Sequence, residues 1–212
     1  MTALYEALMH VARLGGPVVM VLLAMSLVTV TLILAKIWQF FRQGVGHHAT
    51  LQRALDAWDR GAENESFRLA QSTRSHLGRI TVLALDAVRE GTHEDSALRA
   101  RLTGEAAARL ARLSAGLRLL DSVAQVAPLL GLFGTVLGMI EAFQGLQVAG
   151  AAVDPSALAG GIWVALLTTA VGLGVAMPAS LILAWFDARI GREVAMSERI
   201  IDTALCAGLA HD

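Results

Sequence analysis

The chain has 212 residues, 55% hydrophobic and 17% charged, with a formal net charge of −1. That balance excludes a nucleic-acid footprint, and its apolar fraction exceeds the roughly 45–50% usual in soluble domains. The single cysteine, Cys206, excludes an intrachain disulfide, and no CxxC motif or Cys/His cluster points to a metal or any other cofactor.

Residues 1–14 read as a short amphipathic helix, with Leu4, Leu8, Val11 and Ala12 on one side, ended by Gly15-Gly16-Pro17. An uncharged run follows from Gly15 to Ala35. It is longer than the roughly 7–15 apolar residues of a signal peptide. It closes in Lys36-Ile37-Trp38-Gln39-Phe40-Phe41-Arg42, a mixture of aromatic and basic residues that marks a membrane–water boundary. Residues 15–41 are therefore expected to form a retained first span.

Residues 42–120 carry helical periodicity throughout. Leu51, Leu55 and Trp58 form one stripe, and Leu77, Ile80, Leu83 and Val88 another, with Gly61 and Gly91 as punctuation. Leu98, Leu102, Ala106, Leu110, Leu113, Leu117 and Leu120 recur every three or four residues, with no proline between Glu94 and Pro128. This spacing predicts one helix over about 95–147, roughly 80 Å long. Such a helix needs neighbours for its apolar stripe, which points to packing between subunits.

Between 122 and 186 only Glu141 and Asp154 are ionisable. The pattern is a hairpin of two spans, 121–148 and 156–187, around a loop at 149–155. Each arm exceeds the roughly 20 residues needed to cross a bilayer core. The third helix is expected to run on to about Leu209 as a C-terminal segment, 188–212. Twelve arginines lie from Arg42 to Arg118, and Arg189, Arg192 and Arg199 follow the third span; the loop has none and the N-terminal arm only Arg13. The positive-inside rule places the N-terminal helix and loop in the periplasm, and 42–120 and 188–212 in the cytoplasm.

The spans are rich in Gly, Ala and Thr, a composition for helices that pack closely on other helices. At 100° per residue, Gly131, Thr135, Gly138 and Ala142 share a face, as do Gly161, Ala165, Thr169, Gly172, Ala176 and Ser180. These threonines have two readings: hydroxyls bonded to their own helix backbone at a packing contact, or hydroxyls lining an ion path. Glu141 lies about 80° from the small-residue face and is either an intramembrane carboxylate with a function or an anchor at the headgroups. Asp154 reads as a loop residue or helix cap. Asp187 beside Arg189 reads as an interfacial ion pair. His10, His47, His48, His76, His93 and His211 lie outside the spans and read as solvated. Pro128 and Pro178 are expected to shape helix bends, and Pro128 frees the carbonyl of Ala124.

The string Ala127-Pro128-Leu129-Leu130-Gly131-Leu132-Phe133-Gly134-Thr135-Val136-Leu137-Gly138-Met139-Ile140 resembles the second-span motif of the MotA/TolQ/ExbB proton channel family. The string from Gly161 through Thr168-Thr169 to Leu173, followed by Ala176-Met177-Pro178-Ala179, resembles its third-span motif. The resemblance implies an all-α membrane protein of the bacterial inner membrane: three transmembrane helices with long cytoplasmic helical extensions, assembled as a homopentameric bundle. It implies a single-span partner of ExbD or TolR type carrying the titratable aspartate, and a periplasmic transducer of TonB or TolA type. Thr135 and Thr169 would face the lumen with Thr168 assisting, while Gly131, Gly134, Gly138, Gly161, Ala165, Gly172 and Ala176, with Pro128 and Pro178, would shape helix packing. Many relatives carry a glutamate where this chain has Val164, which makes Glu141 the substitute acid. A Tol-type envelope-integrity role and a flagellar or gliding stator are the alternatives within the family, although the flagellar type has four spans. An intramembrane enzyme is a further alternative, but the spans hold no Ser–His pair, Asp pair or HExxH.

Overall fold

The computed structural model describes residues 16–91, 94–149 and 155–207. The expected N-terminal helix, Asp154, His10, His93 and His211 lie outside the described residues. Seven helices occur among those described: α1 Gly16–Arg42, α2 Ala49–Asp59, α3 Glu63–Ser72, α4 Gly78–Glu90, α5 Asp95–Ser114, α6 Leu117–Ala149 and α7 Pro155–Leu205. Three of them, over Gly16–Arg42, Leu117–Gln147 and Leu158–Leu205, are long and apolar enough to cross a membrane. Two compact units are formed, one from Met1–Leu34 and Gly116–Ala184, the other from Ala35–Ala115 and Trp185–Asp212.

The first unit is apolar and nearly inside out. Leu22, Ala127 and Ala176 are its small core, flanked by Val18, Met25, Leu130, Val171 and Val175. Its large side chains face outward: Leu27 is 70% exposed, Leu129 63% and Leu181 73%. Only lipid or further apolar helices can cover such a surface. Thr29 and Thr31 donate their hydroxyls to the carbonyls of Met25 and Leu27, four residues back, which hides polar groups on an apolar helix.

The second unit has an ordinary core. Leu51, Leu55, Trp58, Ile80, Leu85, Leu98 and Leu102 pack with Met196, Ile200, Ile201 and Ala204 from the end of α7. Leu83 departs from its expected stripe and is 41% exposed. The buried face of α4 runs instead through Ile80, Thr81, Ala84 and Leu85. Gly91, at φ +63°, caps α4 with its N–H on the carbonyl of Val88, a left-handed ending that favours glycine.

The single helix expected over 95–147 is divided. α5 stops at Ser114, Gly116 takes φ +85°, and α6 begins at Leu117. A turn of this kind leaves carbonyls at the end of α5 without helical donors. Two side chains of α1 supply them. Lys36 Nζ donates to the Leu113 carbonyl at 3.0 Å and to Gln39 Oε1 at 2.8 Å. Gln39 Nε2 donates to the Arg112 carbonyl at 3.4 Å. The lysine that reads as a boundary marker is thus a buried helix cap, 7% exposed. By contrast, α7 runs unbroken for 51 residues, Pro155–Leu205, about 76 Å of helix; Leu209, the expected end, lies outside the described residues.

Two expectations about charged residues are corrected in this unit. No ion pair joins Asp187 and Arg189 among the described residues; the Arg189 guanidinium lies 5.2 Å from the ring centre of Trp185. Residues two apart on a helix point in different directions, whereas those four apart share a face. Neither His48 nor His76 is solvated: their side chains are 18% and 10% exposed, and both face the wholly buried Glu193. His47 is exposed. Glu193 Oε1 lies 2.8 Å from His48 Nε2 and accepts the Gly46 N–H at 2.7 Å. Glu193 Oε2 lies 3.6 Å from His76 Nδ1. Burial is the main force lowering the His76 pKa below its ordinary value; Glu193 pulls it up, while Arg109 and His48 push it down.

Candidate functional site: the glycine–threonine seam of α6 and α7

Within the apolar unit, α6 and α7 meet along a seam built from small residues. A Cβ added to Gly172 would lie 2.6 Å from the Ala127 carbonyl oxygen and 3.0 Å from Gly131 Cα. One added to Gly131 would lie 3.0 Å from both the Thr168 carbonyl oxygen and Thr169 Cα. At Gly134 it would meet the Thr168 hydroxyl at 2.7 Å, at Gly138 the Ala165 Cβ at 3.1 Å, and at Gly161 the Ala142 Cβ at 2.6 Å. At Gly131 and Gly172 the atoms met are backbone of the facing helix, so there the approach of the two backbones favours glycine; at Gly134, Gly138 and Gly161 the nearest atoms are side-chain atoms of Thr168, Ala165 and Ala142.

The seam residues on α6 are Ala127, Gly131, Gly134, Gly138 and Ala142; on α7 they are Gly172, Thr168, Ala165 and Gly161. The steps are of three or four residues, as in a coiled-coil seam, here with small side chains that let the backbones close. This spacing was present in the sequence as a second, overlapping set of small residues, and it moves the contact away from Thr135 towards Gly134.

The three threonines sit in different places. Thr168 is 3% exposed, and its hydroxyl lies 2.7 Å from the Ala165 carbonyl and 3.1 Å from that of Gly131. Thr169, partly buried, donates to the same Gly131 carbonyl at 3.1 Å. Thr135 is turned out of the seam. Its hydroxyl donates to the Leu132 carbonyl at 2.6 Å, and it lines an open groove of about 540 Å³ with Val136, Met139, Ile140, Phe143, Gln144 and Gln147. The structure therefore brings Thr168 and Thr169 together at Gly131 and leaves Thr135 apart from them. Thr168, given an assisting part by resemblance, is the most central of the three.

Ala165 and Ala176 are buried, and Ala176 packs in the small core with Leu22 and Ala127. Pro128 and Pro178 lie inside α6 and α7 without ending them. A Cβ at Gly172 on α7 would come nearest to the carbonyl of Ala127, just before Pro128. Glu141 is exposed on α6 and joins neither the seam nor the groove beside Thr135; Val164 is partly buried on α7. No group of three or more His, Cys, Asp or Glu side chains arranged to hold a metal ion occurs among the described residues.

Comparison with known proteins gives this seam a context. The profile of the MotA/TolQ/ExbB proton channel family matches residues 67–199, well over half of the chain. The biopolymer transport protein exbB1 of Vibrio cholerae is 45% identical over 80 residues, covering 36% of this chain and 35% of that protein. The putative biopolymer transport protein ExbB-like 1 of Synechocystis is 32% identical over 174 residues, 79% of this chain and 66% of that protein. The Tol-Pal system protein TolQ of Pseudomonas aeruginosa is 36% identical over 131 residues, 62% of this chain and 53% of that protein. The aligned regions thus span from about a third to just under two thirds of these relatives. With both span motifs quoted above lying inside the matched residues, the chain belongs to the MotA/TolQ/ExbB proton channel family and is of ExbB/TolQ type.

Proposed function

We propose that this chain is the channel subunit of an inner-membrane motor that couples proton flow to work on the envelope. The observation that carries the proposal is the convergence of the Thr168 and Thr169 hydroxyls on the Gly131 carbonyl, at a glycine seam between two apolar helices. The seam gives a rigid helix pair, with Thr169 at its edge and Thr135 on the neighbouring outer surface. Five copies around a pair of single-span ExbD/TolR-like helices would bring such surfaces to a shared lumen. The N-terminus would be periplasmic, and residues 42–120 and 188–212 cytoplasmic.

Protons moving down the gradient would neutralise an acid on the partner helix and change which lumen surface it prefers. Each charge carried across contributes about 2.3 kcal/mol per 100 mV. The mechanical output would pass to a TonB-like or TolA-like periplasmic transducer. Outer-membrane transport is the preferred role, in keeping with the biopolymer transport names of several relatives. The similarity to a TolQ keeps envelope integrity as the second reading.

The test is co-reconstitution with an ExbD-like or TolR-like chain in liposomes holding a pH-sensitive dye. The expected result is proton influx above that of protein-free liposomes, lost in Thr169→Val complexes of unchanged assembly. Wild-type complexes that assemble and conduct no protons under an imposed potential would refute the proposal.

A further inference from the structure

Glu193 is an acid at full burial, held in the second unit by groups from two other segments. The turn after α1 supplies the Gly46 N–H and His48. The turn before α4 supplies His76. Arg109 of α5 acts on His76 through its charge, and Arg189, one turn back along α7, lies against Gly46. A Cβ at Gly46, whose φ is +87°, would stand 2.8 Å from Arg189 Nη1.

The two turns also hold each other. His76 donates its backbone N–H to the Gln43 carbonyl at 3.0 Å, and a Cβ at Gly44 would meet the Arg74 carbonyl oxygen at 2.5 Å. Glu193 is therefore a single buried point at which residues 43–48 and 73–77 are fastened to α7. Around it lie polar atoms, themselves buried, that find no hydrogen-bond partner in the protein: both ring nitrogens of His76, Nε of Arg109, Nε of Arg189 and Oε2 of Glu193. Such a set is the usual lining of an internal water site.

The charge count gives this cluster a direction. With His76 neutral, one carboxylate stands among two guanidinium groups. A proton taken up by His76 adds positive charge, and Glu193 is the acid that acts on it. Buried charge without a counter-charge is costly, so the docked turns favour a neutral His76.

We propose that Glu193, His48 and His76 form a buried clasp with a proton-binding site at His76: with His76 neutral, residues 43–48 and 73–77 stay fastened to α7, and proton uptake by His76 releases them. The depressed His76 pKa fits this sign, since a group that loses affinity for protons on docking is driven out of its docked state by protons. In a subunit that admits protons, this site would register their accumulation on the cytoplasmic side. That last role rests on the proposed function; the clasp itself does not.

The Gly46 amide, which donates to Glu193, is the reporter. Hydrogen exchange is measured on the full chain in nanodiscs about one pH unit above and below the ordinary histidine value of about 6.5, with rates corrected for intrinsic chemistry. In the wild type, protection at Gly46 is expected to fall about tenfold on acidification, while amides in the α4 core, Ala84 and Leu85, keep theirs. His76→Gln, which cannot titrate, is expected to hold protection at both pH values, and Glu193→Gln to lose it at both. Unchanged wild-type protection at Gly46, an equal loss in His76→Gln, or a matching loss in α4 that signals general unfolding would each overturn the clasp. Should Glu193→Gln not fold, the wild-type and His76→Gln comparison decides alone. A chain that conducts no protons but shows the exchange pattern keeps the clasp and refutes only the channel reading.

Discussion

The Thr168 hydroxyl reaches the Gly131 carbonyl, 37 residues away in sequence, at 3.1 Å. It is the buried polar link between α6 and α7, and Thr169 approaches the same oxygen from beside it at 3.1 Å. Hydrogen bonds between helices in a membrane contribute about 0.6–2 kcal/mol each. Thr168→Val is therefore expected to weaken the hairpin by about 1 kcal/mol, read as earlier thermal unfolding in detergent. An unaltered melting temperature would mean that the Ala165 carbonyl alone satisfies this hydroxyl.

Thr169→Val and Thr135→Val remove hydroxyls nearer the outer surface while nearly preserving shape. Thr169→Val is expected to abolish energy transduction with assembly intact, and Thr135→Val to reduce it more weakly. Proton influx in reconstituted complexes and size by native mass spectrometry give the two readouts. Full activity in Thr169→Val would assign its hydroxyl to backbone bonding alone.

Gly172→Ala places a methyl where the Ala127 carbonyl already stands, 2.6 Å from the new atom. Overpacking of this kind costs about 1–3 kcal/mol. Gly174→Ala, two residues on, meets nothing within 4 Å and is expected to be neutral or slightly stabilising through helix propensity. The pair is compared by thermal unfolding; greater damage from Gly174→Ala would move the close contact to another face of α7.

The acid side of the stability profile follows from His76. Its folded pKa lies below the ordinary value of about 6.5, first through burial. Between those two values the unfolded chain binds more protons than the folded one. Stability from this group is therefore present above about pH 6.5 and is lost as pH falls through the lowered pKa. The melting temperature of the wild type should decline on entering that range, and His76→Gln should flatten the decline. Parallel curves for the two proteins would count against it.

Glu141 and Val164 test the entry of protons. Glu141 is exposed on α6, and Val164 stands where the family resemblance implies a glutamate in many relatives. Glu141→Gln is expected to lower proton influx and Val164→Glu, added to it, to restore part of it. Equal influx in wild type and Glu141→Gln would leave Glu141 as an interfacial anchor.

The membrane hairpin was legible because charge is so sparse between 122 and 186 that only a lipid-facing or helix-facing role remained for those residues. The division between α5 and α6 was hidden: the leucine repeat runs across Ala115-Gly116 in phase, and glycine in an apolar repeat is also tolerated inside helices. Only the capping partners, Lys36 and Gln39, reveal it, and they come from a distant helix. Glu193 was hidden differently. It sits in register with Phe186, Ser197, Ile200 and Ala204, so an acid inside a buried stripe was the available signal, overlooked in a segment rich in surface charge. Thr168 lost its prominence because a helical wheel ranks faces by composition, whereas the three-and-four stepping of Gly131, Gly134 and Gly138 decides which face closes.

The threonine hydroxyls have one more property. Thr135 and Thr169 each direct their single hydroxyl hydrogen at a backbone carbonyl, of Leu132 and Gly131 respectively. What they can show to a visitor is oxygen lone pairs. A carboxylic acid brought against them can donate its hydrogen; a carboxylate, which only accepts, finds no welcome. With its hydrogen committed in this way, each hydroxyl can accept a hydrogen bond from a neutral acid but has no donor left for a carboxylate.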